Sequence, residues 1–374
     1  MILSRADASV LGRWWWTVDR WTLAALLALV GIGYVMMLAA PGAVASRIGA
    51  SSRDIFFFKQ VVFLLLAVAI MVGISLATPR QIRLLALVGF AGALLLTAAT
   101  LVVGTEIKGA RRWLPIPGLS LQPSEFLKPC FAVTAAWLMS RPGAGRLLGK
   151  AAAVALFVAV AGLLKLQPDI GMLLVITSVF FAQFFVAGLN MVFVAILGGM
   201  GVVGAIGAYS FFPHVRSRVE RFMDPSSGDT YQIDRALEAF GNGGLMGVGP
   251  GEGRVKNALP DAHADFVFAV VGEEFGLIVC MLIITLFLFV VARGLLRLLA
   301  ESDMFVILAA AGLLTQFGLQ AFVNMASTLH LIPTKGMTLP FVSYGGSSAI
   351  AIAIGMGMLL ALTRKRPTRT EDAP

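Results

Sequence analysis

The stretch YQIDRALEAFGNGGLMGVGPGEGRVKNALPDAHADFVFAVVGEEFG, residues 231–276, crowds acidic, basic, imidazole and hydroxyl groups together just before a long apolar run. Asp265 stands at the boundary, between His263 and Phe266. The rest of the chain consists mostly of apolar residues. This contrast indicates a membrane protein that keeps its polar chemistry in one extramembrane segment and works on something at the membrane surface.

The composition predicts a polytopic helical membrane protein. The 374 residues are 58% hydrophobic and 13% charged, about half the charge of a soluble domain. The apolar runs can cross a hydrocarbon core, which needs about 20 helical residues, and they lack the alternation of a membrane β-barrel. The net charge of +9 is spread over many short loops, which argues against nucleic-acid binding. Cys130 and Cys280 lie in different runs without metal-ligand spacing.

We predict an all-α fold of about ten transmembrane helices in a single domain, residues 1–374. The apolar runs are 21–40, 55–77, 84–103, 125–140, 151–166, 169–187, 191–212, 265–292, 304–327 and 342–362. Arg and Lys concentrate in the short loops of one side and at both chain ends. The positive-inside rule therefore places the lead-in 1–20 and the tail 363–374 in the cytoplasm. The large loop 213–264, between helices seven and eight, then faces outward.

Asp265 has two interpretations. As the N-cap of the following helix it would accept a backbone N–H and contribute about 1 kcal/mol. As a general base at the membrane–water boundary, its partial desolvation would raise the pKa of the carboxyl toward working pH. Both roles are compatible.

Glu273 and Glu274 lie two turns further along the same run. Adjacent carboxylates in an apolar segment are costly, so we expect them to face a cavity or a cationic partner, with structural pairing favoured over catalysis. The preceding GGLMGVGPGEG, residues 243–253, does not have the spacing of a nucleotide loop. Its glycines predict a flexible hinge.

A second polar loop, residues 104–124, carries Lys108, Arg111 and Arg112, and Glu125 and Lys128 follow on one helical face. One interpretation is an interfacial salt bridge with snorkelling arginines. The other is a basic cradle for an anionic headgroup, most naturally a lipid-linked diphosphate.

Two further segments carry candidate residues. Asp169 follows Pro168 and is expected to cap a helix, with a cavity-facing role as the alternative. PTKGMTLPFVSYGGSS, residues 333–348, interrupts regular helix with two prolines and the pair Gly345–Gly346. It offers Lys335, Ser343 and Tyr344 as substrate contacts, with a re-entrant structural turn as the alternative. These observations alone do not distinguish an enzyme from a transporter.

The polar segments together resemble the SEDS family (shape, elongation, division and sporulation). The matching pieces are GARRW at 109–113, QPSEFLK at 122–128, QPDIG at 167–171, YQIDRALEAFGNGGLMGVGPG at 231–251, LPDAHADFVFAVVGEEFGL at 259–277 and PTKGMTLPFVSYGGSS at 333–348. They run the length of the chain, and the last one is more similar to division-type members than to elongation-type ones.

The resemblance implies a peptidoglycan glycosyltransferase that polymerises lipid II at the outer face of the bacterial inner membrane, at the division septum. It implies that Asp265, in HADF, is the essential residue, and that Glu125, Lys128 and His263 serve the substrate. Members usually carry Thr where this chain has Ala264, and many carry a basic residue where it has Ser120.

The expected chemistry is inverting transfer. Asp265 would take the proton of the acceptor 4-hydroxyl as it attacks the anomeric carbon of the donor, and undecaprenyl diphosphate would leave. Arg111, Lys128 or a divalent cation (Mg or Mn) would stabilise the diphosphate. The implied partners are a class B penicillin-binding protein and other division membrane proteins. The alternatives are a lipid II flippase and a non-catalytic division scaffold.

Overall fold

The computed structural model describes residues 9–39, 50–107, 110–116, 119–143, 145–188, 191–211, 213–224, 231–259, 262–333 and 336–365. Its helices are α1 Val10–Thr17, α2 Arg20–Ala39, α3 Ala50–Ser75, α4 Pro79–Val103, α5 Pro123–Met139, α6 Gly145–Leu166, α7 Ile170–Val186, α8 Met191–Phe211, α9 Pro213–Met223, α10 Tyr231–Gly243, α11 Val255–Ala258, α12 Val267–Leu298, α13 Met304–Thr328 and α14 Gly346–Leu362. Its strands are β1 Thr105–Ile107, β2 Ala110–Ile116 and β3 Leu119–Leu121.

A helix lies in each of the ten apolar runs. Six of them, α2, α3, α4, α6, α12 and α13, are long and apolar enough to cross a membrane, and α7 and α14 are shorter apolar helices. The prediction of a multi-pass helical membrane protein is therefore confirmed. The exact number of spans stays a prediction.

The bundle is built around α13. In its most apolar window 72% of the residues are buried, against 22% in α3 and in α6. Helix α14 is buried along most of its length, as is α5. Many large apolar side chains of α3, α4 and α6 are exposed, as expected for helices that face lipid.

Residues 105–107, 110–116 and 119–121 form a small antiparallel sheet of order β1–β2–β3, where the sequence indicated only a loop. Glu106 pairs with Arg111 in one register, and Pro115 pairs with Ser120 in the other. The strands β1 and β3 have three residues each, too short to show an alternating pattern. The sheet leads directly into α5.

The region 213–264, predicted as one loop, contains the helices α9, α10 and α11. Its glycine-rich part packs against a break in α12 at Gly276, where φ is 76° and ψ is −174°. At the break, backbone hydrogen bonds to the glycine-rich segment replace those of a regular helix: Val248 N donates to Glu273 O at 2.9 Å and Leu277 N donates to Gly244 O at 2.9 Å. A Cβ at Gly247 would lie 2.2 Å from Glu274 O. These glycines permit close backbone packing, which differs from the predicted flexible hinge.

The other end of α12 contacts residues just before α2 and just after α14. Asp19 accepts from Arg293 Nε at 2.7 Å and contacts Arg297 Nε at 2.9 Å. Lys365 N donates to Thr17 O at 3.0 Å, so the lead-in and the start of the tail lie together. The part of α12 after the break, residues 277–298, is about 33 Å long at about 1.5 Å per residue, which separates this end from Gly276.

Candidate active site around Asp265

Asp265 lies in a turn, residues 262–266, immediately before α12. The N-cap interpretation of Asp265 is wrong, because α12 begins at Val267 and its N-cap is Phe266, without a side-chain cap. Asp265 is partly exposed.

The backbone of this turn is held from outside by three donors. Tyr344 N donates to His263 O at 2.8 Å, Ser343 Oγ donates to Ala264 O at 2.6 Å, and Asn324 Nδ2 donates to Asp265 O at 2.9 Å. Three successive carbonyls are thus fixed by α13 and by the segment after it. Such contacts limit the positions that the Asp265 carboxylate can take.

The carboxylate itself lies against Gly336. A Cβ added at Gly336 would lie 2.6 Å from Asp265 Oδ2, closer than a real Cβ can approach. Because Gly336 has no side chain, the Asp265 carboxylate can occupy this space. Lys335, predicted as a substrate contact, lies outside the described residues, as does Lys108.

His263 and Tyr344 form an aromatic pair beside the turn. Their ring centroids are 5.5 Å apart at an interplanar angle of 66°. Burial raises the pKa of the Tyr344 hydroxyl, so this group stays protonated at neutral pH. Both predicted residues therefore border the same side of the Asp265 turn.

Ser343 and the glycine pair shape the start of α14. Leu339 N donates to Ser343 Oγ at 2.8 Å, which closes a tight turn. Gln60 of α3, fully buried, donates to Ser343 O at 3.3 Å and accepts from Gly345 N at 3.4 Å. A Cβ at Gly346 would lie 2.6 Å from the ring of Phe63, so the glycine is needed for close packing.

Glu125 and Lys128 form a buried pair on α5. Their Nζ–Oε2 distance is 2.8 Å, and Lys128 is 1% exposed. Lys128 Nζ also donates to Gln320 Oε1 at 2.8 Å, and Gln320 Nε2 donates to Thr338 O at 3.1 Å. The pair is thereby connected, through one amide, to the segment that flanks Asp265.

The two arginines of the sheet behave differently. Arg111 Nε lies 3.5 Å from Glu106 Oε2, and both side chains are about half exposed. Arg112 is tied down: Nη2 donates to Pro168 O at 2.7 Å, and Nη1 lies 3.4 Å from Asp169 Oδ2. Asp169 is the N-cap of α7 and accepts from Met172 N at 3.2 Å.

Glu273 and Glu274 bind the glycine-rich segment. Glu273 Oε1 accepts from Arg254 N at 2.9 Å and from Val255 N at 3.0 Å. Glu274 pairs with Lys256 and accepts from Gly251 N at 3.1 Å. Both carboxylates are buried and hold this segment on α12.

Comparison with known proteins assigns the family. Residues 20–368 match the family model described as Cell cycle protein, which groups FtsW, RodA and SpoVE. The chain belongs to this family. The resemblance to the SEDS family drawn from the sequence motifs is thus confirmed.

Its relatives in the Cell cycle protein family match nearly end to end. The probable peptidoglycan glycosyltransferase FtsW of Caulobacter vibrioides is 43% identical over 365 residues, covering 97% of this chain and 94% of the relative. The protein of the same name from Geobacter metallireducens is 35% identical, covering 93% and 96%. These relatives also support the resemblance to division-type members.

Solved structures of the family share the fold. One chain, from work on the structural coordination of polymerization and crosslinking by a peptidoglycan synthase complex, has a TM-score of 0.76 at 28% identity, covering 92% of this chain and 97% of that one. The Rod shape determining protein RodA of Thermus thermophilus has a TM-score of 0.66 at 30% identity, covering 93% and 97%.

Three buried amides at this family site were missed by sequence reasoning. Gln60, Gln320 and Asn324 are each at most 2% exposed, and each bonds to the segment 336–345. A signal was present, because amides are uncommon within apolar runs and Gln320 and Asn324 are one helical turn apart. These amides lie outside the motifs that carry the family resemblance, and the site prediction was based on those motifs.

A divalent cation does not have a protein-built site among the described residues. No three His, Cys, Asp or Glu side chains of this part of the chain come together in a way that could hold a metal ion.

Proposed function

We propose that this protein is a peptidoglycan glycosyltransferase that polymerises lipid II, with Asp265 as general base. The residue assignment rests on one observation. Asp265 is partly exposed, and its backbone carbonyl and that of Ala264 accept hydrogen bonds from Asn324 and Ser343, which belong to two other elements. The names of the relatives from Caulobacter and Geobacter support the reaction class. A base must be held near the proton that it abstracts, and the Asp265 turn meets that requirement.

In the proposed reaction the Asp265 carboxylate accepts the proton of the acceptor sugar's 4-hydroxyl. The hydroxyl oxygen forms a bond to the donor's anomeric carbon while the bond from that carbon to undecaprenyl diphosphate breaks, with inversion. The diphosphate carries away the electron pair. Because diphosphate is a good leaving group, it needs charge stabilisation rather than a strong acid.

The basic groups near the site supply that stabilisation in this proposal. Arg111 is the more exposed candidate. Lys128 would exchange its contact with Glu125 for a phosphate oxygen, since both acceptors are anionic and suit the same ammonium group. His263, Tyr344 and Ser343 line or support the sugar side, and Lys335 and Arg112 are the remaining proposed contacts.

Charge distribution and a solved relative support the proposed setting. The basic clusters near both chain ends favour a cytoplasmic location for them, and in this proposal Asp265 faces the periplasm of a bacterial inner membrane. A solved relative comes from a peptidoglycan synthase complex. We infer a class B penicillin-binding protein as partner here, together with other division membrane proteins at the septum.

The deciding experiment measures polymerisation of labelled lipid II by the purified protein with its transpeptidase partner. We expect glycan chains from the wild type and none from a folded Asp265→Asn variant. Asp303→Asn is the matched control: Asp303 caps α13 through Phe305 N at 2.9 Å, and Asn caps equally well.

The other outcomes are distinct. Equal chains from Asp265→Asn would remove Asp265 from the chemistry. If neither protein makes chains while lipid II still crosses liposome membranes, the protein is a flippase. If partner binding persists without chains or transport, it is a scaffold.

A further inference from the structure

Helix α13 carries a line of three buried amides, two of which bond to the site. Gln316, Gln320 and Asn324 are spaced four residues apart, which places them on one helical face. Their exposures are 4%, 2% and 0%. Gln320 and Asn324 reach the segment beyond the helix, whereas Gln316 Oε1 has no hydrogen-bond partner among the residues that the structure describes.

Asn324 binds two separate parts of the site with one nitrogen. Its Nδ2 donates to Asp265 O at 2.9 Å and to Met337 O at 2.5 Å. Met337 directly follows Gly336, the residue against which the Asp265 carboxylate lies. The side-chain amide therefore connects the backbone of Asp265 to the wall of its own carboxylate.

Burying the Asn324 amide costs free energy. A fully buried amide loses hydration, and only its donors are used here, because Asn324 Oδ1 has no hydrogen-bond partner within the described ranges. An apolar residue at this position of α13 would not bury an unpaired amide oxygen, although it would remove the donor to the carbonyls of Asp265 and Met337. What it could not do is hold the turn 262–266 and the segment 336–339 at a fixed separation.

We propose that Asn324 is a positioning residue for Asp265. Asn324 is anchored on α13, the most buried of the long helices. Its hydrogen bonds therefore fix the distance between the Asp265 carboxylate and Gly336. This inference rests on the proposed role of Asp265 as the base. Misplacement of a reacting group by about 1 Å can cost about 100-fold in rate, so the effect of losing Asn324 falls on turnover.

The test compares Asn324→Leu with Gln316→Leu. Both changes replace a buried amide side chain on the same face of α13 by leucine, but only the first removes donors to Asp265 and Met337. For each variant kcat and KM for lipid II and the thermal unfolding midpoint are measured. We expect Asn324→Leu to lower kcat about 10- to 100-fold with KM within about two-fold, and Gln316→Leu to retain wild-type kcat.

A second variant protects the test against misfolding of Asn324→Leu. Gly336 is exposed, so Gly336→Ala acts on the carboxylate without disturbing the bundle core. It should also lower kcat. In the double variant the combined loss should be smaller than the product of the two single losses, because both changes displace the same group.

Three results would overturn the inference. One is a wild-type kcat in folded Asn324→Leu, and another is an equal loss in Asn324→Leu and Gln316→Leu, which would indicate bundle stability alone. The third, for a misfolded Asn324→Leu, is full activity of Gly336→Ala. Asp265→Asn is assayed in parallel: if it is inactive, these results refute the positioning role only, and if it is active, the proposed base falls and the inference with it.

Discussion

Ser343 Oγ donates to the carbonyl of Ala264 at 2.6 Å and accepts from Leu339 N at 2.8 Å. One hydroxyl thereby joins the turn that carries Asp265 to the turn that starts α14. The resemblance drew attention to a hydroxyl usually found at position 264, where this chain has Ala264. In the structure a hydroxyl contacts that position from Ser343 instead.

Ser343→Ala should reduce both stability and polymerisation. It leaves the buried Leu339 N–H without its acceptor, and an unsatisfied buried group costs about 1–3 kcal/mol. It also releases one of the three carbonyls that fix the Asp265 turn. Thermal unfolding and lipid II polymerisation measure the two effects. Ser140→Ala is the control, since Ser140 Oγ donates to Trp137 O at the end of its own helix. Equal behaviour of the two variants would refute the prediction.

Gly276→Ala should prevent accumulation of folded protein. The φ of 76° with ψ of −174° is a conformation that is essentially restricted to glycine, and a Cβ would lie 2.4 Å from Leu245 O. Gly241→Ala in α10 is the matched control, because a Cβ there meets open space and Ala favours a helix by up to about 1 kcal/mol. Size-exclusion profiles in detergent report the folded fraction. A monodisperse Gly276→Ala protein would show that α12 tolerates a regular helix at this point.

The helices could be predicted from sequence because spanning a membrane requires long apolar runs. The end of run eight was less accurate: it was placed at residue 292, and α12 continues to Leu298. Arg293 and Arg297 do not terminate the helix, since both pair with Asp19 at that end of the bundle. Pairing between distant segments is not visible in local hydropathy.

The site could be predicted only in part, for the same reason. Motifs located Asp265, Ser343 and Tyr344, which the structure brings together. The buried amide of Asn324 donates to Asp265 O, which is 59 residues away in the sequence, so no local pattern predicts this contact. The short strands around Arg112 were missed because three-residue strands carry too few positions for a periodic signal.

Asp19→Asn should destabilise the protein at neutral pH and have little effect in acid. Burial alone would raise the pKa of Asp19, but hydrogen bonds from Arg293 and Thr22 and the charge of Arg297 hold it below its usual range. A lowered folded-state pKa gives stability that is present above the unfolded pKa of about 3.9 and is lost as the pH falls through the folded value.

The expected loss for Asp19→Asn at pH 7 is about 1.5–3 kcal/mol, the usual contribution of hydrogen bonds to charged groups. Unfolding midpoints of the wild type and the variant are compared at pH 7, 5 and 3.5. Their difference should be constant from pH 7 to 5 and shrink toward pH 3.5. A difference that grows on acidification would contradict the assignment. Asp234→Asn on the surface of α10 controls for the general effect of removing a carboxylate.

The pair Glu125–Lys128 distinguishes structural pairing from substrate binding. Removing one partner leaves an uncompensated buried charge, so Lys128→Met should cost about 3–5 kcal/mol in the free energy of unfolding. The double variant Glu125→Gln/Lys128→Met should recover most of this loss, because neither charge remains. Unfolding midpoints of the two single variants and the double variant test this.

Polymerisation by the same double variant then assigns the role of Lys128. If Lys128 exchanges Glu125 for a phosphate oxygen of the substrate, as proposed, restored stability does not restore activity, because the ammonium group is absent. We therefore expect a stable protein that does not make glycan chains. Recovery of chains together with stability would instead make the pair purely structural, acting through Gln320 on the segment beside Asp265. Arg111 would then remain the exposed cation for the diphosphate, and Arg111→Gln would become the variant that raises KM.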